Sequence, residues 1–257
     1  MKKIIFIFTT IFFSLSVNAV ETPKLDSNHS WGFSGPFGTY NKSSLQRGLQ
    51  VYREVCSSCH SLKYIAFRNL TALGYNEEEI KAFSSEYTVV DGPNDDGEMF
   101  DRAGRPSDYF VSPYLNDNEA RAANGGAYPP DLSLITKARQ GGADYLYSLL
   151  KGYKEPPKDI KVNDGLYYNK NYYGNLIAMP QPLYEDSVTY EDGTEASIEN
   201  MAADVTEFLA WAAEPEMEVR KRTGIATVSF LLIMVILSYL AKQQIWSGIK
   251  KDKKSSV

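Results

Sequence analysis

Apolar residues recur at helical spacing in several separate stretches of the chain. In "NKSSLQRGLQVYREVCSSCH", Leu45, Gly48, Leu49, Tyr52 and Val55 fall along one side, and Asn41, Ser43 and Ser44 supply capping residues. Toward the other end, "SIENMAADVTEFLAWAAEP" repeats Ile198, Met201, Val205, Phe208, Leu209 and Ala212 at the same period. Between them, "ADYLYSLLKGY" (143–153) predicts a helix ended by Gly152 and Pro156–Pro157, and "SLITKAR" (133–139) a short one. Residues 74–118 are rich in acids, glycines and prolines and predict a long loop-like insertion rather than a second domain. Gly48 costs about 1 kcal/mol in a helix interior relative to Ala. It predicts a close crossing, with the helix carrying Val205 and Phe208 as partner.

Two further stretches are apolar on every side. Lys2 and Lys3 precede "IIFIFTTIFFSLSV" (4–17) and the small residue Ala19, the layout of a cleaved export signal over 1–19. The apolar part is short against the roughly 20 residues of a membrane span. "TGIATVSFLLIMVILSYLA" (223–241) is uncharged and long enough to cross a bilayer. Charges bracket it, Arg220–Lys221–Arg222 before and Lys242 after, and Tyr239 and Trp246 suit the membrane interface. The expected organisation is an exported domain over 20–219, a membrane anchor over 220–242 and a cytoplasmic basic tail over 243–257.

Charge sharpens this picture. The whole chain carries a formal net charge of −5, yet residues 20–219 hold 17 basic and 31 acidic residues, a net of −14. An acidic exported domain repels nucleic acid and attracts a basic partner. The sequence shows no repeats, phosphate loop or catalytic triad, so no catalytic residue is assigned.

The candidate chemistry is concentrated in "CSSCH". Cys56 and Cys59 are the two cysteines of the chain, and His60 is one of its two histidines. A disulfide across so small a loop gains little entropy. No βαβ pattern supports a thioredoxin-like pair, and the supply of Cys and His is thin for a four-ligand zinc site. C-x-x-C-H is the attachment signature of c-type haem. Two thiols one helical turn apart add to the haem vinyl groups, and the adjacent histidine sits under the iron as proximal ligand.

A sixth ligand must then be found. His29 lies near the start of the exported part. Met99 sits in an acidic loop, Met217 in a charged segment before the anchor and Met234 in the anchor, while the helical spacing assigns Met201 to core packing. Met179 differs: "NLIAMPQPLY" is apolar yet broken by Pro180 and Pro182, a rigid loop suited to pressing a thioether onto iron. Without a haem, Met179 would read as a core-filling methionine. Tyr167, Tyr168, Tyr172 and Tyr173 precede this loop and either cover a haem or pack the loop. Histidine–methionine ligation raises the potential and leaves no open position on the iron. With His29 as sixth ligand the site would be bis-histidine instead.

The chain resembles the cytochrome c1 family, the haem subunit of the quinol–cytochrome c reductase (bc1) complex. The resemblance covers nearly all of the mature sequence. It rests on "WGFSGPFGTYNKSSLQRGLQVYREVCSSCHSLKY", "RAANGGAYPPDLSLITKARQGGADYLYSLLKGYKEPP", "IAMPQPLYEDSVTYEDGTEAS", "FLAWAAEPEMEVRKRTG" and the single C-terminal anchor. It implies a mainly α, cytochrome c-like exported haem domain with long loop insertions and one transmembrane helix. It implies one covalent haem c held by Cys56 and Cys59, iron ligated by His60 and Met179, and Arg121 near a haem propionate. The implied partners are cytochrome b, the Rieske iron–sulfur protein as electron donor and a cytochrome c as acceptor, in a dimeric complex. The implied place is a bacterial cytoplasmic membrane with the haem domain in the periplasm. The extra disulfide of some bacterial relatives is absent, since no cysteines remain for it. Candidate acidic docking runs are 77–79, 94–101 and 184–195. The rival readings are a free-standing anchored electron shuttle and a haem peroxidase or gas sensor.

Overall fold

The computed structural model describes Leu25 and residues 29–255; the expected export signal, 1–19, lies outside the described residues. Asn41 opens the first helix, α1 (Lys42–Glu54), its side chain accepting hydrogen bonds from the backbone N–H groups of Ser43 and Ser44. This satisfies donors that a helix start otherwise leaves unpaired. The face predicted from the periodicity is buried: Leu45, Gly48, Leu49 and Tyr52, joined by Val51.

Two short helices, α2 (Glu77–Ser85) and α3 (Asp117–Ala123), follow, then the brief α4 (Ile135–Ala138) and α5 (Gly142–Lys151). The sixth helix, α6 (Ile198–Ala213), starts at Ser197, whose side chain accepts from the Asn200 N–H. It packs across α1 at Gly48, where an added Cβ would lie 2.1 Å from the Asp204 carbonyl oxygen and 2.6 Å from Phe208 Cβ. Leu45, Leu49, Tyr52, Met201, Val205, Phe208 and Trp211 are fully or almost fully buried and share one apolar core. The core placement of Met201 is thus as expected.

Arg47 crosses the same interface. Its Nε and Nη2 donate to the two carboxylate oxygens of the buried Asp204 at 2.7 and 3.0 Å, and Nη1 donates to Asp192 at 2.8 Å. A bidentate fork of this kind compensates a carboxylate for leaving water.

Residues 74–118 hold more regular structure than their composition suggests. Asn76 and Glu79 form a reciprocal capping box at the start of α2. Strands β1 (Thr88–Asp91) and β2 (Phe100–Ala103) pair antiparallel, Thr88 opposite Ala103 and Asp91 opposite Phe100. Arg102 of β2 binds Asp91 and Asp108 together. Phe83, Tyr87 and Phe110 surround Phe67 with ring centroids 4.8 to 5.9 Å away, fastening the insertion to the main core. The elements are short and anchored by few apolar side chains, so periodicity had little length in which to register.

The chain ends in α7 (Met217–Ser255). Met217–Ser247 is long and apolar enough to cross a membrane, and its most apolar window is not buried in the protein. At 1.5 Å per residue, about 20 residues suffice for a hydrocarbon layer of about 30 Å. The helix starts before the uncharged run, and its first turns are fixed to the domain. Met217, in the charged segment before the anchor, is buried. Glu218 accepts from the Tyr40 N–H at 2.8 Å, and Lys221 Nζ donates to the carbonyls of Phe33 and Gly38 at 2.6 and 3.0 Å.

Candidate functional site

The end of α1 delivers the cysteine motif. A 3-10 turn, Cys56–Ser58, continues from the helix, and the N–H groups of Cys59 and His60 both donate to the Cys56 carbonyl, at 3.2 and 2.9 Å. Cys56 and Cys59 are therefore held one turn apart, and both thiols are free of disulfide. Burial, with a smaller contribution from Cys59, pushes the Cys56 thiol up to about 12.

His60 is held from two sides. Its backbone carbonyl accepts from the Tyr52 hydroxyl at 3.1 Å, and its Nδ1 lies 2.8 Å from the Pro130 carbonyl oxygen. A carbonyl only accepts, so Nδ1 carries the proton and Nε2 keeps its lone pair. Burial lowers the imidazole pKa and outweighs the opposing effects of Pro130 and Asp131. The result is a neutral ring with Nε2 available as a donor to a metal, the state a ligating histidine needs.

Asp131 clamps the chain after His60. Its Oδ2 accepts from Ser61 Oγ at 2.7 Å and the Lys63 N–H at 2.9 Å, while Oδ1 accepts from the Ser133 N–H at 2.9 Å. Burial raises the Asp131 pKa, but these hydrogen bonds outweigh it and hold the carboxyl below its ordinary value. A cleft opens beside this clamp, lined by Cys59, Lys63, Pro113, Leu115, Tyr128 and Pro129 among others.

Arg121, on α3, is exposed, donates to the Gly126 carbonyl at 3.2 Å and lies 5.4 Å from the Tyr128 ring centroid. It thus neighbours a residue of the cleft that Cys59 lines. Met179 is half-buried and follows the two-residue strand β4 (Leu176–Ile177), which pairs with β3 (Tyr167–Tyr168). Its carbonyl accepts from the Tyr153 hydroxyl at 3.0 Å. The structure therefore gathers Cys56, Cys59 and His60 with the 128–133 segment, and holds Met179 by a separate set of contacts at the end of α5. Of the four tyrosines before the loop, Tyr167 and Tyr168 serve the strand pair that leads into it. His29, the alternative ligand, has its ring 4.4 Å from that of Trp31 and 5.0 Å from that of Tyr147. The sequence does not single out Pro130, Asp131 and Tyr153; their partners at the site, His60, Ser61 and Lys63, and Met179, lie far along the chain.

The residues present fit a covalently attached haem: two unbridged thiols one turn apart and a neutral imidazole whose tautomer is set by its neighbour. Together with the long apolar α7, these features define a c-type cytochrome with a membrane-spanning segment. A family model described as the Cytochrome C1 family matches residues 31–249. The chain is 45% identical over 236 residues to "Cytochrome c1" of Rhodospirillum rubrum, covering 86% of this chain and 87% of that protein. It is 47% identical over 236 residues to "Cytochrome c1 1, heme protein, mitochondrial" of Arabidopsis thaliana, covering 92% of this chain and 76% of that one. It is also 48% identical over 241 residues to "Cytochrome b/c1" of Bradyrhizobium diazoefficiens, spanning 85% of this chain but only 35% of that protein. The chain belongs to the cytochrome c1 family, whose members carry one covalently bound haem c.

Proposed function

We propose that the chain is the haem-carrying electron-transfer subunit of a bc1 complex, taking one electron from the Rieske iron–sulfur protein and passing it to a cytochrome c. The observation that carries this reading is His60, with Nδ1 tied to Pro130 and Nε2 left to donate, directly after two unbridged cysteines one turn apart. Cys56 and Cys59 would attach the haem, His60 and Met179 would ligate its iron, and Arg121 would pair with a propionate. The bound haem supplies a single iron that alternates between Fe(III) and Fe(II). The protein's own part is to hold both axial donors in place, keep water from the iron and present an edge to each partner. No bond is made or broken, so the subunit is a carrier and not a catalyst in its own right.

The organisation that supports this role is an export signal over 1–19, a periplasmic haem domain over 20–219, an anchor over 220–242 and a basic tail over 243–257 on the cytoplasmic side of a bacterial inner membrane. Cytochrome b and the Rieske protein would be its stable neighbours in a dimeric complex. The exposed acids of 94–98 remain available for a basic cytochrome c, whereas Asp192 is committed to Arg47 and Glu79 to the cap of α2. Acid–acetone extraction tests the reading directly. Haem should stay on the polypeptide, and gentle detergent purification should bring cytochrome b and an iron–sulfur subunit with it. Haem that washes out entirely would end the proposal.

A further inference from the structure

The loop carrying Met179 is poor in backbone hydrogen bonding, since Pro180 and Pro182 have no N–H to give. What holds it comes from elsewhere. Residues 148–153 at the end of α5 lie against residues 169–171. The Asn169 amide donates to the Leu149 carbonyl at 2.8 Å, and the Asn171 amide donates to the Ser148 carbonyl at 2.7 Å. These carbonyls belong to the last turn of the helix, where Leu149 also accepts from the Gly152 N–H at 3.1 Å. The Lys170 N–H donates to the Gly152 carbonyl at 2.9 Å, and the Asn171 N–H to Asn169 Oδ1 at 3.0 Å. Both asparagines are buried, at 0% and 3% exposure, and both are hydrogen-bonded. The fit requires glycine at 152, because a Cβ there would lie 2.2 Å from Asn169 Oδ1. From this brace the next residue, Tyr153, reaches 26 positions along the chain to the Met179 carbonyl at 3.0 Å.

We propose that Tyr153, which follows the end of α5 that Asn169 and Asn171 brace, is a positioning residue for Met179, its hydroxyl setting how firmly the Met179 thioether is held on the haem iron. This rests on the reading of Met179 as the axial ligand. Tyr153 does not touch the iron. It pins the backbone from which the thioether projects, so its loss raises the share of molecules in which the sulfur has left the metal. One hydrogen bond of ordinary strength corresponds to about a fivefold to tenfold change in that share.

The test uses the full-length chain with its haem attached. Tyr153→Phe keeps the ring and removes the hydroxyl. The sulfur–iron charge-transfer band should remain at low temperature but disappear at a lower temperature than in the parent, and carbon monoxide should bind the reduced iron about fivefold to tenfold faster. Asn171→Ser, loosening the brace one step away, should shift both readouts the same way by less. Tyr145→Phe, which removes another buried hydroxyl of α5, should shift neither. If Met179→Leu abolishes the band while Tyr153→Phe and Asn171→Ser leave its thermal loss and carbon monoxide uptake unchanged, the positioning role is overturned and the ligand assignment stands. If Met179→Leu leaves the band intact, the ligand assignment itself fails.

Discussion

Gly48 meets Asp204 so closely that a methyl group on residue 48 would fall 2.1 Å from the Asp204 carbonyl oxygen, well inside van der Waals contact. Helix propensity alone would make Gly48→Ala stabilising by about 1 kcal/mol. The overlap is with backbone and with Phe208 Cβ, which cannot swing aside, so the two helices must separate instead. Gly48→Ala should lower stability by about 1–3 kcal/mol, the cost typical of overpacking. Chemical denaturation of the haem-loaded protein checks this; a rise in the midpoint would refute the close crossing as the reason for glycine.

Glu207 adds a pH dependence to the same interface. Burial raises its pKa, and Asp204 adds to that, against hydrogen bonds from the Asn41 N–H and Ser44 and the pull of Arg47. An acid whose folded pKa is raised costs stability when charged. That cost is present above the folded pKa and fades as pH falls toward the ordinary carboxylate value. Glu207→Gln keeps an acceptor for Asn41 without the charge. The variant should be the more stable protein at neutral pH, with the gap narrowing as pH drops through the window above the usual glutamate pKa. Denaturation midpoints of the pair across that range decide it; a gap that widens on acidification contradicts the sign.

Met179→Leu and Met201→Leu should separate ligand from core. Met201 is fully buried in α6 and its sulfur lies 3.5 Å from Ser187 Oγ. Its replacement should cost less than about 1.5 kcal/mol and leave the visible spectrum unchanged. Met179→Leu should keep covalent haem but lose the sulfur–iron band, lower the potential and admit carbon monoxide. The reverse pattern would move the ligand to position 201, and no change in either would turn attention to His29.

The first turns of α7 should matter to the domain as well as to the membrane. Met217 is buried, and Glu218 and Lys221 bind the 33–40 segment. A chain ended after Arg222 should be soluble, carry haem and show the parent's reduced spectrum. One ended after Glu214 should carry haem but unfold at lower denaturant. Equal midpoints would mean these contacts contribute nothing measurable.

Acceptor docking should depend on salt. With 17 basic and 31 acidic residues over 20–219, the exported part should attract a basic cytochrome c. Raising ionic strength from 0.1 to 1 M shortens the Debye length from about 10 to about 3 Å, so the rate of electron transfer to such a partner should fall. A rate indifferent to salt would point to an acceptor held by apolar contact.

Whatever depends on neighbours within a turn or two is legible along the chain. The buried face of α1 and the apolar core positions of α6 follow from a 3.6-residue period, the start of α1 from Asn41, the end of α5 from Gly152, the attachment motif from one-turn cysteine spacing, and the membrane segment from an uncharged run. Even Gly48 signalled its crossing, because glycine is unfavourable in a helix unless something approaches. The remaining contacts arise from packing between distant segments. His60 meets Pro130 across 70 positions, Tyr153 meets the Met179 carbonyl across 26, and Lys221 meets Phe33 across 188. Such contacts use ordinary residue types whose partners are chosen by packing. The same holds for the short elements of residues 74–118 and for the burial of Met217. A few well-placed apolar anchors outweigh local composition there, and no periodicity in the sequence records which surfaces they will meet.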